Sequence, residues 1–387
     1  MGLFIKKPQR DLALMIEVQS SLVRCSLVAL SRQDLPHILY THSTVMPYKP
    51  HTGSGYMVKA IIKAVGEDVS LAMRNFHARA RAGQYDDVSP RINSVHYILC
   101  APWVISQARS ISLDLPQGTR LSQDMLSQII KKDRVGADPA LSGDLSIIED
   151  KVFDVQINGY SVSDWQGRTA SDVHVSFVTS MAGSRLINHL GEAVRMHVQT
   201  KQIHFHSSLL LQSIGIQTIT ADMPGSIMIH AHGELTEIAL ANRGCCFFFG
   251  SFPLGIRGII RRIAHDMGTD MSAADSALSL HSGGHLDHSH ANRVNKIIKD
   301  ATKEWVAGIQ SIYASAMTPL TIPKDVIIIT HVHRDFFINA YRTAYPDARI
   351  HTISQDDFAG HVTFGEGAER LSMPAICATA LHCLSYR

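Results

Sequence analysis

The sequence lacks paired cysteines. Its six, Cys25, Cys100, Cys245, Cys246, Cys377 and Cys383, form no Cys-x-x-Cys, which excludes a zinc ribbon and a thioredoxin-type redox motif. Cys245 and Cys246 sit in an apolar run and read as buried thiols, and the six together read as cytosolic usage rather than a disulfide framework. A charge surplus is also missing: 36 Lys and Arg against 34 Asp and Glu leave a net +2. Nucleic acid is therefore not an expected partner, because phosphate binding needs a basic excess on one face. No run reaches the roughly 18–20 apolar residues of a membrane-spanning helix. There is no Gly-x-Ser-x-Gly elbow, so Ser20-Ser21 reads as a polar turn and not as a nucleophile. The leader Met1–Arg10 holds Leu3, Phe4 and Ile5 before Lys6, Lys7 and Arg10. It is too short for a signal peptide and reads as a frayed segment, with at most a weak pull toward an anionic membrane.

What is present is apolar. Hydrophobic residues are 45% and charged residues 18% of 387. The length exceeds the roughly 250–300 residues at which a single core stops growing, so two or more lobes are expected. Residues 11–30 alternate as two strands around Gln19-Ser20-Ser21, and a helix follows with Ile61, Val65, Val69, Ala72 and Phe76 on one stripe. A β-rich block begins near Ile92, with strands over 95–101, 110–115, 147–158 and 173–179, a helix around Leu121–Ile129 and a turn at Asn158-Gly159-Tyr160. A helix covers about 184–198. The opening theme then recurs: strands over 226–230, 236–240 and 245–250, three helices, a buried strand over 325–330, a helix, a short strand and a closing helix. A strand meander used twice, each time followed by helices, predicts a duplicated α/β architecture.

Twenty-two histidines invite a metal reading. Thr330-His331-Val332-His333-Arg334-Asp335 resembles the His-x-His-x-Asp-His ligands of metallo-β-lactamase-like hydrolases. Phe336 stands where the last histidine belongs, and too little chain follows for that sandwich. His281, His285, His288 and His290 read as a solvated connection between helices. His204 and His206 alternate on one strand face. No metal ligand and no catalytic residue is assigned.

The segment Ile16-Glu17-Val18-Gln19-Ser20-Ser21-Leu22-Val23-Arg24 resembles the first phosphate turn of actin-like ATPases, Asp-Ile-Gly-Ser-Ser-x-Val. Ile229-His230-Ala231-His232-Gly233-Glu234-Leu235-Thr236-Glu237-Ile238-Ala239 resembles the second. Phe252-Pro253-Leu254-Gly255 resembles the Pro-x-Gly entry to a helix. Ile329-Thr330-His331-Val332-His333 occupies the place of the adenosine glycines, and Pro374–Leu384 resembles the last helix. Within that superfamily the β-rich insert resembles FtsA and PilM. The resemblance implies an α/β, duplicated actin-like (ribonuclease H-like) two-lobe fold with an inserted strand–helix–strand–strand module. Residues 1–92 would open the first lobe, 93–200 would form the insert, and 201–387 the second lobe with the return to the first.

It also implies a nucleotide cleft at Glu17, Gln19, Ser20, Ser21, His230, His232, Gly233, Glu234, Thr236, Thr330, His331 and His333. The departures are chemical. Glu17 and His230 replace the two aspartates that organise the metal shell, and Gln19, His232 and Glu234 replace glycines whose N–H groups approach phosphate. A Glu234 carboxylate facing phosphates would repel them. ATP and Mg²⁺ binding is expected to be weakened, which makes this a weak or inactive ATPase. By resemblance the chain is a PilM-like scaffold of a type IV pilus assembly platform, at the cytoplasmic face of the inner membrane, peripherally associated and capable of self-association. It would hold the cytoplasmic tail of a membrane protein in a groove near Val95–Cys100 and Val173–Val178. The alternatives are an FtsA-like division protein tethering a tubulin-like ring, and an active actin-fold ATPase or kinase. The chain stops at Arg387 without the linker and amphipathic helix of FtsA, which favours the pilus reading.

Overall fold

The computed structural model describes residues 9–46, 54–135, 144–220, 223, 225–242, 245–316, 322–354, 356–368 and 374–385; the leader before Gln9 and the last two residues lie outside them. β1 (Arg10–Val18) and β2 (Leu22–Leu30) pair antiparallel with Ile16 opposite Cys25 and Glu17 opposite Arg24, and β3 (His37–Val45) continues the meander. α1 (Ser54–Arg81) lays Ile61, Val65, Val69, Ala72 and Phe76 against this sheet, all buried, as their spacing predicts. β4 (Val88–Leu99), placed by its sequence at the start of the insert, instead runs parallel to β1 inside the same sheet.

β5 (Val104–Arg120), α2 (Gln123–Val135), β6 (Leu145–Ile157), β7 (Tyr160–Ser161) and β8 (Thr169–Gly183) form a separate four-stranded sheet, in the order β5-β8-β6-β7. Its own small core includes Leu121, Leu126, Ile130, Val173, Val175 and Phe177. Asn158 (φ 52°) and Gly159 (φ 81°) turn the β6–β7 hairpin in the left-handed region, where Asn and Gly are the residues least penalised. α3 (Ser184–Arg195) leads back to β9 (Ile203–Ser207), which lies parallel to β4, and then to α4 (Ser208–Ile219).

The second meander is β10 (Gly225–Ala231), β11 (Thr236–Asn242) and β12 (Cys245–Phe252). α5 (Ile256–Met267), α6 (Met271–Ser282) and α7 (His288–Ala316) pack on it, with Ile260, Ile263, Val294, Ala301, Trp305 and Ile309 buried. β13 (Asp325–Thr330), α8 (Arg334–Ala344) and β14 (Arg349–Thr352) complete that lobe, and β15 (Thr363–Gly367) returns to the first sheet beside β3 before α9 (Pro374–Ser385). The strand orders are β15-β3-β2-β1-β4-β9 and β12-β11-β10-β13-β14. Set β15 aside and each sheet reads third, second, first, fourth, fifth: the duplication expected from the repeated meander.

α4 and α9 lie between the two sheets. They share a core with Met15 and Val28 from one sheet and Met228 and Ile327 from the other. Their backbones meet at Gly215, where an added Cβ would lie 2.5 Å from Ala378 Cβ and 2.8 Å from Ala378 Cα. The meander ends of both sheets therefore face one another across a cleft.

Candidate functional site: a histidine-filled cleft

Three chain reversals build the cleft. The β1–β2 turn carries Gln19, Ser20 and Ser21, closed by Gln19 N–H donating to Leu22 O at 2.8 Å. The β10–β11 turn carries His232, Gly233 and Glu234, closed by His232 N–H donating to Leu235 O at 2.9 Å. The third, His331 to His333, follows β13, and His333 adopts a left-handed conformation (φ 50°) to start α8. That is a position glycine adopts without steric cost.

The first two turns touch. A Cβ on Gly233 would lie 2.2 Å from Ser21 Oγ and 2.3 Å from Ser21 Cβ, so only glycine fits there. The N-terminus of α5 is also occupied: Ile256 N–H donates to His232 O at 3.1 Å and Arg257 N–H to Gly233 O at 2.7 Å. Backbone donors that could serve an anion at a helix start are thereby committed to the neighbouring turn. A cavity of about 350 Å³ remains, lined in part by Gln19, Ser21, Gly233, Arg257, Asp275 and His331.

Behind the turns is a buried polar cluster. Glu17 is 1% and Arg24 2% exposed, and Arg24 Nη1 donates to Glu17 Oε2 at 2.8 Å. Burial opposes the Glu17 charge, but Arg24, then His331 and the Gln19 hydrogen bond, hold its carboxyl below the ordinary value. Gln19 Nε2 lies 2.8 Å from Glu17 Oε1 and 2.6 Å from His331 Nε2. His230 and His232 lie against one another with ring centroids 3.8 Å apart and planes tilted by 38°, and His331 meets His230 edge-on at 6.0 Å. His230 Nδ1 contacts Gln212 Nε2 at 3.0 Å, and burial keeps this imidazole neutral by holding its pKa well below the usual value. His232 Nε2 pairs with Glu237 Oε2 at 2.5 Å. Buried Cys100 lies in the same cluster as His232 and Glu237, its thiol pushed well up by burial. Four buried atoms here have no hydrogen-bond partner: Ser20 Oγ, Gln212 Oε1, His230 Nε2 and His232 Nδ1.

Of the residues expected at the cleft, Glu17, Gln19, His230, His232 and His331 converge, and Ser21 and Gly233 form its closing contact. Glu234 turns away. It forms a bidentate pair with Arg261 of α5 at 2.9 and 2.7 Å, so the expected repulsion of phosphate by this carboxylate has no basis in the geometry. Thr236 is buried beneath the turn, donating to Leu254 O at 2.8 Å and accepting from Trp305 Nε1 at 2.9 Å. Thr330 caps its own turn at Val332 O, and His333 pairs with Asp275 at 2.5 Å. Arg24, Cys100, Gln212 and Glu237 were not expected. Cross-strand register could have pointed to two of them, since Arg24 sits opposite Glu17 and Glu237 opposite His230.

A second concavity, of about 640 Å³, lies between β9, β6 of the insert and the end of α9, with His96, Glu149, Ile187, Phe205, His206 and His382 in its walls. His96 and His204 stack at 4.9 Å, and His96 Nδ1 lies 3.2 Å from His206 Nε2. Burial pushes the pKa of His382 down to about 4. Of the strands expected to bound a groove here, β4 contributes Ser94 and His96, whereas the Val173–Val178 stretch of β8 does not line it.

No family model matches the sequence, and no curated protein is similar to it. Among solved structures the chain is similar to the PilM-PilN type IV pilus biogenesis complex, with a TM-score of 0.62 at 12% identity over 97% of this chain and 98% of that one. It also aligns with a Bacteroides thetaiotaomicron protein of actin-like ATPase fold and unknown function, at a TM-score of 0.41 and 10% identity over 98% of both chains. A further match is the ethanolamine utilization protein EutJ from Carboxydothermus hydrogenoformans, at 0.43 and 9% over 97% and 90%. Together with the twice-used strand order and the inserted sheet, the first of these likenesses shows that the chain shares the fold seen in the PilM-PilN structure.

Proposed function

We propose that this chain is a PilM-like scaffold of a pilus assembly platform that docks an extended segment of a membrane partner's cytoplasmic tail and turns over ATP poorly or not at all. The carrying observation is the 640 Å³ groove along β9. Among the described residues β9 pairs only with β4 and is the last strand of its sheet, so its outer edge is available for strand addition along Ile203 to Phe205, up to the point where Ser207 N–H donates to Glu149 of β6 at 2.6 Å. Apolar Ile147, Ile187 and Phe205 offer pockets for alternate side chains of an added strand. The closed contact between Ser21 and Gly233 supports the second half of the reading, since it fills space that phosphates need between the two turns. No helix of the described residues is long and apolar enough to cross a membrane, so on this reading membrane attachment comes through the partner.

The test is fluorescence anisotropy with a labelled synthetic peptide covering the cytoplasmic tail of a PilN-like protein from the same organism. Saturable binding is expected. Ile147, 50% exposed in the groove wall, is changed to Asp with little effect on stability and is expected to weaken binding at least tenfold. Absence of binding, or binding indifferent to Ile147→Asp, overturns the groove assignment.

A further inference from the structure

Glu17, His230 and His331 come from the ends of three separate strands. One ligand-type atom from each lies within 4.8 Å of the other two. Two imidazoles and a carboxylate form a donor set used by zinc and by non-haem iron. Bonds of about 2.0–2.2 Å to one ion hold such ligands somewhat closer, so modest side-chain rotations close the set.

Hydrogen-bonding capacity is left unspent beside these residues, at His230 Nε2 and Gln212 Oε1. His331 faces N–H donors at both ring nitrogens: Gln19 at 2.6 Å on Nε2 and Arg24 at 3.4 Å on Nδ1. His230 accepts at Nδ1 from Gln212, which leaves Nε2–H fully buried without an acceptor. The Gln19 amide nitrogen bridges Glu17 Oε1 and His331 Nε2, a place between two acceptors that suits a cation.

We infer that Glu17, His230 and His331 form a binding site for one divalent first-row transition ion, entered from the 350 Å³ cavity once Gln19 swings aside. His331 lines that cavity and supplies the route in. A half-turn of the Gln212 amide lets its oxygen accept from His230 Nδ1–H and from the Ser208 hydroxyl. Nε2 then presents a lone pair to the ion, and the imidazole is oriented by a neighbour in the manner usual for metal-bound histidine. Arg24 already neutralises Glu17, so the bound ion keeps net positive charge and fills its remaining positions with water or a small anion from the cavity. The neighbouring group of Cys100, His232 and Glu237 is the competing site. It is sealed, and its His232–Glu237 pair is already made at 2.5 Å. Metal binding at the first site is independent of peptide docking in the β9 groove.

The untagged full chain, stripped with a chelator, is titrated with Co²⁺ and Zn²⁺ and analysed for retained metal after dialysis. One equivalent is expected, with visible d–d absorption for cobalt. X-ray absorption at the zinc edge should show imidazole scattering and no sulfur. His331→Ala removes a ligand and is expected to weaken binding by more than the roughly 10–100-fold that losing a ligand's outer-shell partner costs, while Gln19→Ala, which removes the bridging amide, tightens it. No retained ion overturns the inference. So does a zinc–sulfur distance in the wild-type protein, which would assign the ion to a cysteine site, or full-affinity binding that survives His331→Ala. Where His331→Ala prevents folding, His331→Gln replaces it, and an affinity unchanged by that variant likewise overturns the inference.

Discussion

Replacing Gly233 with alanine probes the contact that closes the cleft. The new Cβ would meet Ser21 Oγ at 2.2 Å, Ser21 Cβ at 2.3 Å and Arg257 Cδ at 3.2 Å. A rotation of Ser21 removes Oγ from the overlap but not Cβ, which is fixed to the backbone. The β1–β2 turn must retreat by roughly 1 Å or more to restore ordinary contact near 3.5 Å. That turn is held by the Gln19 N–H to Leu22 O bond and by Met46 N–H donating to Ser21 O, each 2.8 Å. Overpacking of this kind costs about 1–3 kcal/mol, and an overlap with two atoms belongs at the upper end. Ser21→Gly deletes both atoms, so the double variant retains only the 3.2 Å approach to the flexible Arg257 side chain and should recover most of the loss. Equilibrium urea unfolding of the four proteins reads the coupling as displaced midpoints at constant slope, with about 2 kcal/mol expected. A neutral Gly233→Ala, or a loss undiminished in the Ser21→Gly background, would refute the claim that the two turns touch.

Arg24→Met leaves Glu17 buried without its cation and should cost about 3–5 kcal/mol in the same assay, whereas Glu17→Leu with Arg24→Met should be close to neutral. Millimolar Mg-ATP should raise the melting temperature by no more than about 1 °C, because an affinity no tighter than millimolar stabilises by under about 0.5 kcal/mol at that concentration; a micromolar calorimetric titration would refute the reading of the cleft. His382 has a pKa of about 4 when folded, against an ordinary 6.5. Its contribution is fully present above pH 6.5. As pH falls from 6.5 toward 4 the unfolded chain takes a proton that the folded chain refuses, and stability drops by at most about 1.4 kcal/mol per pH unit. His382→Leu should flatten stability-versus-pH in that window, and an unchanged slope counts against a neutral, buried imidazole.

Periodicity made much of the fold legible. The alternation through Leu12, Leu14 and Ile16 and the recurrence through Ile227, Ile229 and Ile238 mark the two meanders, and the stripes on α1 and α7 mark the helices that cover them. β3 was less visible, because His37, Tyr40, His42 and Ser43 interrupt its apolar pattern. The place of β4 is ambiguous in sequence for a physical reason. Its buried run Val95–Leu99 reads the same whether a strand lies in the lobe or in the insert, and only its parallel pairing with β1 settles which. At the cleft, the residue types at each turn were readable, but their directions were not. Glu234 is drawn to Arg261, a residue 27 positions away whose partner no local pattern identifies.

The duplication explains why the cleft holds the groups it does. In the first meander Glu17 sits opposite Arg24, one residue pair before the turn; in the second, His230 sits opposite Glu237 at the same step. Each pair thus occupies the equivalent slot of its own sheet, and the slots face one another because α4 and α9 hold the sheets in a fixed relation. An acid–base pair from one lobe and a histidine–acid pair from the other converge, with His331 added from the end of β13. A phosphate would have needed small residues and exposed N–H groups at this convergence. The cleft presents instead a largely buried set of imidazoles, carboxylates and one guanidinium, several with unspent hydrogen-bonding capacity. On the proposed reading, a preference for a small cation over a triphosphate would rest on a few side chains at the ends of β1, β10 and β13, carried by a frame that the two sheets share.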